Sequence, residues 1–298
     1  MAGLKEVRIR IASVKSTQQI TNAMKMVAAS KLRRAQTAII KLRPYAAKLR
    51  EIMQNLSSSI DDSSENAYSG VREPKRILLV VITSNRGLCG GFNSNVIKAA
   101  TGLIQTTFGV QNAAGNVHLI TVGRKGTEFF TKRNFRVTES HDELLDGISF
   151  ERTAGLTEQL MKAFADKHYD RIHIVYNQFK NAAVQRLIVE QFLPIVPEPA
   201  TLTTTPVMTT KMPDYIFEPD KETIIRELIP KSLRIQLYKA ILDSFASEQG
   251  ARMTAMQKAT DNAQELLRDL RISYNKARQN AITKELLEIV SGAEALKG

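Results

Sequence analysis

The 298-residue chain has no tryptophan, a single cysteine, Cys89, and only 6% aromatic residues. The lone thiol excludes an internal disulfide and fits a reducing compartment. So few rings argue against an aromatic platform for stacking single-stranded bases. No run approaches the roughly 18 consecutive apolar residues of a membrane span, and the start, MAGLKEVRIRIASVK, lacks the apolar core of a secretory signal. That start is basic and acid-poor like an organellar transit peptide, yet it runs unbroken into a helical pattern, which favours a bacterial cytosolic chain. Acid is missing where base is plentiful: the first 50 residues hold twelve Lys and Arg against one carboxylate, Glu6, so nearly all of the net charge of +12 belongs to one segment. Charge confined in this way suggests a basic helix facing an acidic partner.

Glycine and proline are almost absent from both ends, and heptad repetition occupies them instead. From Leu4 a three-four spacing runs through Val7, Ile11, Val14, Gln18, Thr21, Lys25, Ala28, Leu32, Ala35, Ile39, Leu42, Ala46, Leu49, Met53 and Leu56. Sustained over so many heptads, this predicts a helix of about 80 Å over residues 1–57 with a coiled-coil seam. Pro44 predicts a kink or local adjustment. Gln18, Thr21 and Lys25 are consecutive polar seam positions, where the coil should be weakest or differently engaged. After Pro230 only Gly250 interrupts the chain before Gly292, and a second helix is expected within 221–298. Its seam reads Tyr238, Leu242, Phe245, Gln249, Arg252, Met256, Ala259, Ala263, Leu266, Leu270, Ser273 and Ala277, faltering at Gln249 and Arg252. The alternative is that both stripes are ordinary core helices of a bundle.

Between the helices, Ser57–Gly70 is rich in Ser, Asp and Gly and reads as a linker. Strands are expected at 75–83, 117–123, near Phe135–Val137 and at 171–179, with helices at 95–108, 125–133 and 151–167. This alternation predicts an α/β domain over 71–200 with a parallel or mixed sheet. Residues 184–195 form a further strand, antiparallel if the turn at Lys180–Ala183 is tight. A Thr-rich loop, 201–210, opens the segment 201–220.

Candidate chemistry is sparse. The turn SNRGLCGGFN (84–93) follows the first strand, where many α/β proteins hold a phosphate. It matches neither the P-loop, because Phe92-Asn93 stands where Lys-Ser/Thr is needed, nor the spacing of a dinucleotide fingerprint. It reads as a tight turn docking domain to helix, with Cys89 packed and not nucleophilic. His118, His141, His168 and His173 offer no metal spacing, and His141-Asp142-Glu143 reads as a solvated turn. The chain presents no persuasive catalytic, metal or cofactor site, which points to a mechanical or connective role.

Five segments, KMVAASKLRRAQ (25–36), SNRGLCGGFN (84–93), DYIFEPD (214–220), SEQGARMTAMQKATDNA (247–263) and YNKARQNAITKELLEIVSGA (274–293), together resemble the gamma subunit family of F-type ATP synthases, in that family's order. The resemblance implies an antiparallel coiled coil of the terminal helices with an inserted Rossmann-like domain. It also implies a bacterial member, without the cysteine-bearing insertion of chloroplast relatives, working as the central rotor shaft. Implied partners are three alpha and three beta subunits, an epsilon subunit and the membrane c-ring, with catalysis on beta. The implied location is the cytoplasmic face of the bacterial plasma membrane. Carried over by position, Met24, Lys25, Lys31, Arg33 and Arg34 lie near an acidic loop of beta. Arg252, Arg278, Gln279, Thr283 and Glu288 serve the shaft–ring interface or helix packing, Leu286, Leu287, Ile289 and Val290 form an apolar tip, and Tyr215, Phe217 and Glu218 meet the c-ring. Phe217 stands where some relatives have Tyr. The competing readings are a nucleic-acid-binding basic coiled coil and a nucleotide-dependent enzyme using the 84–93 loop.

Overall fold

The computed structural model describes residues 4–57, 68, 70, 72–195 and 221–295. In chain order the elements are α1 (Leu4–Ser57), β1 (Ile77–Ile82), α2 (Phe92–Thr106), α3 (Gly109–Ala113), β2 (Val117–Val122), α4 (Arg124–Lys132), β3 (Val137–Ser140), a 3-10 turn (Asp142–Leu145), α5 (Phe150–Ala165), β4 (Arg171–Phe179), β5 (Gln185–Leu193) and α6 (Lys221–Ala295). They form two compact units, residues 1–30 with 252–298, and residues 31–251.

In the larger unit the strands are ordered β3-β2-β1-β4-β5. β1 is parallel to β2 and β4, β2 is parallel to β3, and β5 runs antiparallel to β4 at the edge. Central β1, ILLVVI, is buried at every position, as an apolar run between two covered faces requires. Its side chains alternate. Leu78, Val80 and Ile82 enter a core with α5 and the first turns of α6, whereas Ile77, Leu79 and Val81 pack beneath α2. The expected tight turn closes the β4–β5 hairpin, with the Asn181 carbonyl oxygen Oδ1 accepting from the N–H groups of Ala183 and Val184 at 3.0 and 2.7 Å. Ser149 caps α5, its side chain accepting from the Arg152 N–H at 3.3 Å.

Two details depart from the sequence reading. The strand near Phe135–Val137 begins at Val137, because Phe135 turns inward to meet Phe130 edge to face at 5.4 Å. Helix α3 and the 3-10 turn, each a single turn or so, have too little periodicity to be foreseen. As the expected helix bounds require, Pro44 and Pro230 both lie inside continuous helices.

The α1 seam holds closely. Every expected position from Leu4 to Leu49 is buried or half-buried, while the side chains of Met53 and Leu56 lie outside the described residues. In α6 the phase slips after Ala263: Leu266 is 40% exposed and Leu267 only 6%, and Ser273 is exposed while Tyr274 is half-buried. Both phases preserve a seven-residue repeat, and adjacent leucines at 266 and 267 leave the choice to the partner helix.

Candidate functional site

In the smaller unit, the polar stretch of the α1 seam is engaged by hydrogen bonds. Arg8 Nη2 donates to the Tyr274 hydroxyl at 3.0 Å, with its guanidinium 5.9 Å from the ring centre. The Thr21 and Thr260 hydroxyl oxygens are 2.8 Å apart, and Lys25 Nζ donates to Gln257 Oε1 at 2.9 Å. As the α1 residue number climbs from 8 to 25, the partner falls from 274 to 257, so the two helices are antiparallel in one fixed register. Gln257 in turn donates to Asp261 Oδ1 at 2.8 Å. The hydrogen bond to Tyr274 raises the Arg8 pKa above its ordinary value. Polar pairs at seam positions fix register at some cost in stability, as a buried Asn does in other coiled coils.

The candidate interface residues fall into distinct settings. Met24 and Lys25 are half-buried, with Lys25 turned into the seam. In the larger unit, Lys31, Arg33 and Arg34 are exposed. Arg252 is 8% exposed, a position suited to helix packing. Arg278, Gln279, Thr283 and Glu288 are all exposed. The structure joins two of them, Thr283 Oγ1 donating to the Gln279 carbonyl at 3.0 Å, and sets Glu288 3.7 Å from Lys284. Tyr215, Phe217 and Glu218, with the Thr-rich loop, lie outside the described residues. Tyr274, Thr260 and Gln257 were not singled out from the sequence; extending the α1 polar run across an antiparallel register would have found them.

Beyond the level of Tyr274 helix α6 continues to Ala295, and from Arg278 to Ala295 all residues but the half-buried Ala281 are exposed. That surface is not uniformly polar. Ile282, Leu286, Leu287, Ile289 and Val290 stand 50–67% exposed. An exposed apolar stripe of this kind marks an interaction surface.

The glycine-rich loop of the larger unit is self-contained. Leu88 and Gly90 adopt left-handed φ angles of 62 and 58°, folding Cys89 inward to 2% exposure. Asn93 Oδ1 accepts from Ser84 N and Oγ at 3.0 and 3.1 Å, and Asn93 Nδ2 donates to Cys89 Sγ at 3.3 Å. The side chains of Ser84, Cys89 and Asn93 are therefore spent on one another. Asn177 carries the docking: its Nδ2 donates to the Phe92 carbonyl at 3.2 Å, and its own carbonyl accepts from Ser247 Oγ at 3.0 Å. This ties the loop's exit to α6.

Burial and the nearby Arg171 lower the His173 pKa to about 4, and the half-buried His173 ring lies 5.3 Å from that of Phe108 at a tilt of 50°. His141 sits between Glu139 and Glu143 at 3.0 and 3.3 Å. Among the described residues no group of three or more His, Cys, Asp or Glu is arranged to hold a metal ion.

The class so defined is a mixed α/β protein whose long terminal helices pair antiparallel in the smaller unit and whose five-stranded domain is inserted between them in sequence. The family model described as ATP synthase matches residues 3–296. An ATP synthase gamma chain from Cytophaga hutchinsonii is 53% identical over 99% of both chains. Among solved structures, a chain of the Tetrahymena thermophila mitochondrial ATP synthase central stalk and c-ring is 26% identical, with a TM-score of 0.58 over 80% of this chain and 99% of that one. A chain of the Euglena gracilis mitochondrial ATP synthase OSCP/F1/c-ring assembly shares the fold at TM-score 0.67 and 21% identity, over 98% of this chain and 94% of that one. The chain belongs to the ATP synthase gamma chain family.

Proposed function

We propose that this gamma chain is the non-catalytic rotor shaft of an F-type ATP synthase, turning inside a ring of three alpha and three beta subunits. The observation that carries this reading is the extension of α6 past its partner helix, with Ile282, Leu286, Leu287, Ile289 and Val290 bare. A surrounding sleeve of protein supplies the apolar cover that the described residues do not. An asymmetric shaft touches each beta subunit differently, so each orientation favours a different set of open and closed sites. Synthesis driven by ion flow and rotation driven by hydrolysis are one coupling read in two directions.

Within this reading the exposed cations Lys31, Arg33 and Arg34 face acidic loops of the ring. Arg278 and Gln279 offer guanidinium and amide donors to carboxylates and carbonyls of beta. Met24, Thr283 and Glu288 complete the contact, while Lys25 and Arg252 hold the helices together. Tyr215, Phe217 and Glu218 meet the c-ring beside an epsilon subunit. No helix among the described residues is long and apolar enough to cross a membrane, which supports peripheral attachment through that ring on the cytoplasmic face of the bacterial plasma membrane. The spent polar groups of the 84–93 loop favour this reading over a nucleotide-dependent enzyme.

The test is ATP hydrolysis by the chain alone, by cognate alpha and beta alone, and by all three. Sustained turnover only in the complete mixture supports a coupling shaft. Hydrolysis by the chain alone, or no effect of adding it, overturns the reading.

A further inference from the structure

A groove of about 760 Å³ lies between α2 and α4, on the face of the domain opposite the α5 and α6 core. Its floor is apolar, formed by Ile97, Gly102 and half-buried Phe129. Its rim is basic: Lys98, Lys125, Lys132 and Arg133 line it against one carboxylate, Glu128. Lys125 neutralises that carboxylate at 2.6 Å, and Arg133 lies 4.6 Å over the Phe129 ring. Lys98, Lys132 and Arg133, with no carboxylate partner among the described residues, therefore surround an apolar trough.

Two features of α2 have no internal explanation. Gly102 sits in the middle of the helix, where glycine is among the poorest formers. A Cβ there would meet nothing within 4 Å, and no left-handed φ requires glycine. One residue earlier, the Thr101 hydroxyl is buried without a hydrogen-bond partner, although it lines the groove. The missing side chain at Gly102 suits the close approach of another backbone.

We infer that this groove receives an acidic amphipathic helix of a protein partner, laid along α2. From Asn93 to Gln105 the wall extends about 18 Å, three turns of such a helix. The trough is open along its length, with Lys98, Gln105, Lys132 and Arg133 exposed, whereas a small molecule needs enclosure on most sides. An apolar stripe fills the floor, carboxylates at the flanks meet the rim, and the backbone closes on Gly102. A nucleic-acid backbone would match the cations but leave the apolar floor uncovered.

This goes beyond the shaft reading, and a negative result here leaves the hydrolysis assay intact. The test places photoreactive p-benzoylphenylalanine at Gln105, irradiates the intact purified complex and sequences the attached peptide, with Lys162 on α5 as the control position. The expected result is one dominant adduct on a peptide rich in Asp and Glu with apolar residues three and four apart, at least fivefold above the control. Adding Gly102→Ala or Lys98→Glu should reduce it at least fivefold, while Gly102→Ala leaves the melting temperature of the free chain unchanged or higher. No adduct above control, an adduct on nucleic acid or on a peptide without that pattern, or a destabilised Gly102→Ala chain would overturn the inference.

Discussion

Thr21 of α1 and Thr260 of α6 face each other with their hydroxyl oxygens 2.8 Å apart, a polar contact at a seam position. Each also has a local acceptor, Thr21 the Gln18 carbonyl at 3.0 Å and Thr260 the Met256 carbonyl at 2.8 Å. Only one hydroxyl can donate across the seam while the other donates locally. Thr21→Val should therefore cost at most about 1 kcal/mol, because Thr260 loses its contact across the seam but keeps the Met256 carbonyl as acceptor, and Thr21→Val with Thr260→Val should cost less than the two single changes together. Denaturant unfolding of the free chain reads both.

Two glycines in the middle of helices should respond to alanine with opposite signs. At Gly250 a new Cβ would lie 3.2 Å from the Cα and carbonyl oxygen of Ala182, both backbone atoms of the β4–β5 hairpin. Overpacking of about 1–3 kcal/mol there should outweigh the roughly 1 kcal/mol gained in helix propensity. At Gly102 nothing opposes that gain. Gly250→Ala should thus lower the melting temperature and Gly102→Ala raise it, as calorimetry of the two variants will show.

Asp243 of α6 is 2% exposed, and its Oδ1 has no hydrogen-bond partner. Burial pushes its pKa up to about 6 against the opposing pull of Lys239 and Arg43. An acid with a raised folded pKa binds more protons folded than unfolded, so its contribution to stability falls as pH rises from about 4 to 6. Asp243→Asn should remove that fall, leaving the variant ahead of the parent by about 1–3 kcal/mol at pH 7 but not at pH 4. Urea midpoints across this range provide the check.

Arg278 and Gln279 are exposed, and their side chains make no packing contribution comparable to a seam residue. Replacing both with alanine should change the stability of the free chain by less than about 0.5 kcal/mol. Turnover of the reconstituted alpha, beta and gamma mixture should nevertheless fall severalfold. Loss of turnover with unchanged unfolding separates an interface role from a folding role.

The long helices and the sheet were legible because their signals repeat. The α1 seam is set by fourteen spaced positions from Leu4 to Leu49, so no single ambiguous residue could shift it. The α6 seam slipped where neighbours in sequence suit it equally, as Leu266 and Leu267 do, and the phase is decided by Thr260 meeting Thr21 and Tyr274 meeting Arg8. β3 was misplaced because four residues at a sheet edge carry little alternation, and Phe135 mimics a strand residue while serving as a core plug. At the candidate site, the resemblance put forward Arg278 and Gln279, which are exposed, but could not show that Lys25 bonds to Gln257 or that Arg252 is buried. Such placements depend on which face of one helix meets the other. The α2–α4 groove carries no motif, being made by two helices distant in sequence.

The most direct measurement fixes cognate alpha and beta subunits to a surface, inserts this chain with a bead attached through Lys162→Cys, and follows the bead as ATP is added. Native Cys89 is buried and leaves the introduced thiol as the point of attachment. The account predicts unidirectional rotation in three equal steps per turn, stalling when ATP is withdrawn. A bead that stays fixed or merely fluctuates while ATP is hydrolysed would contradict it.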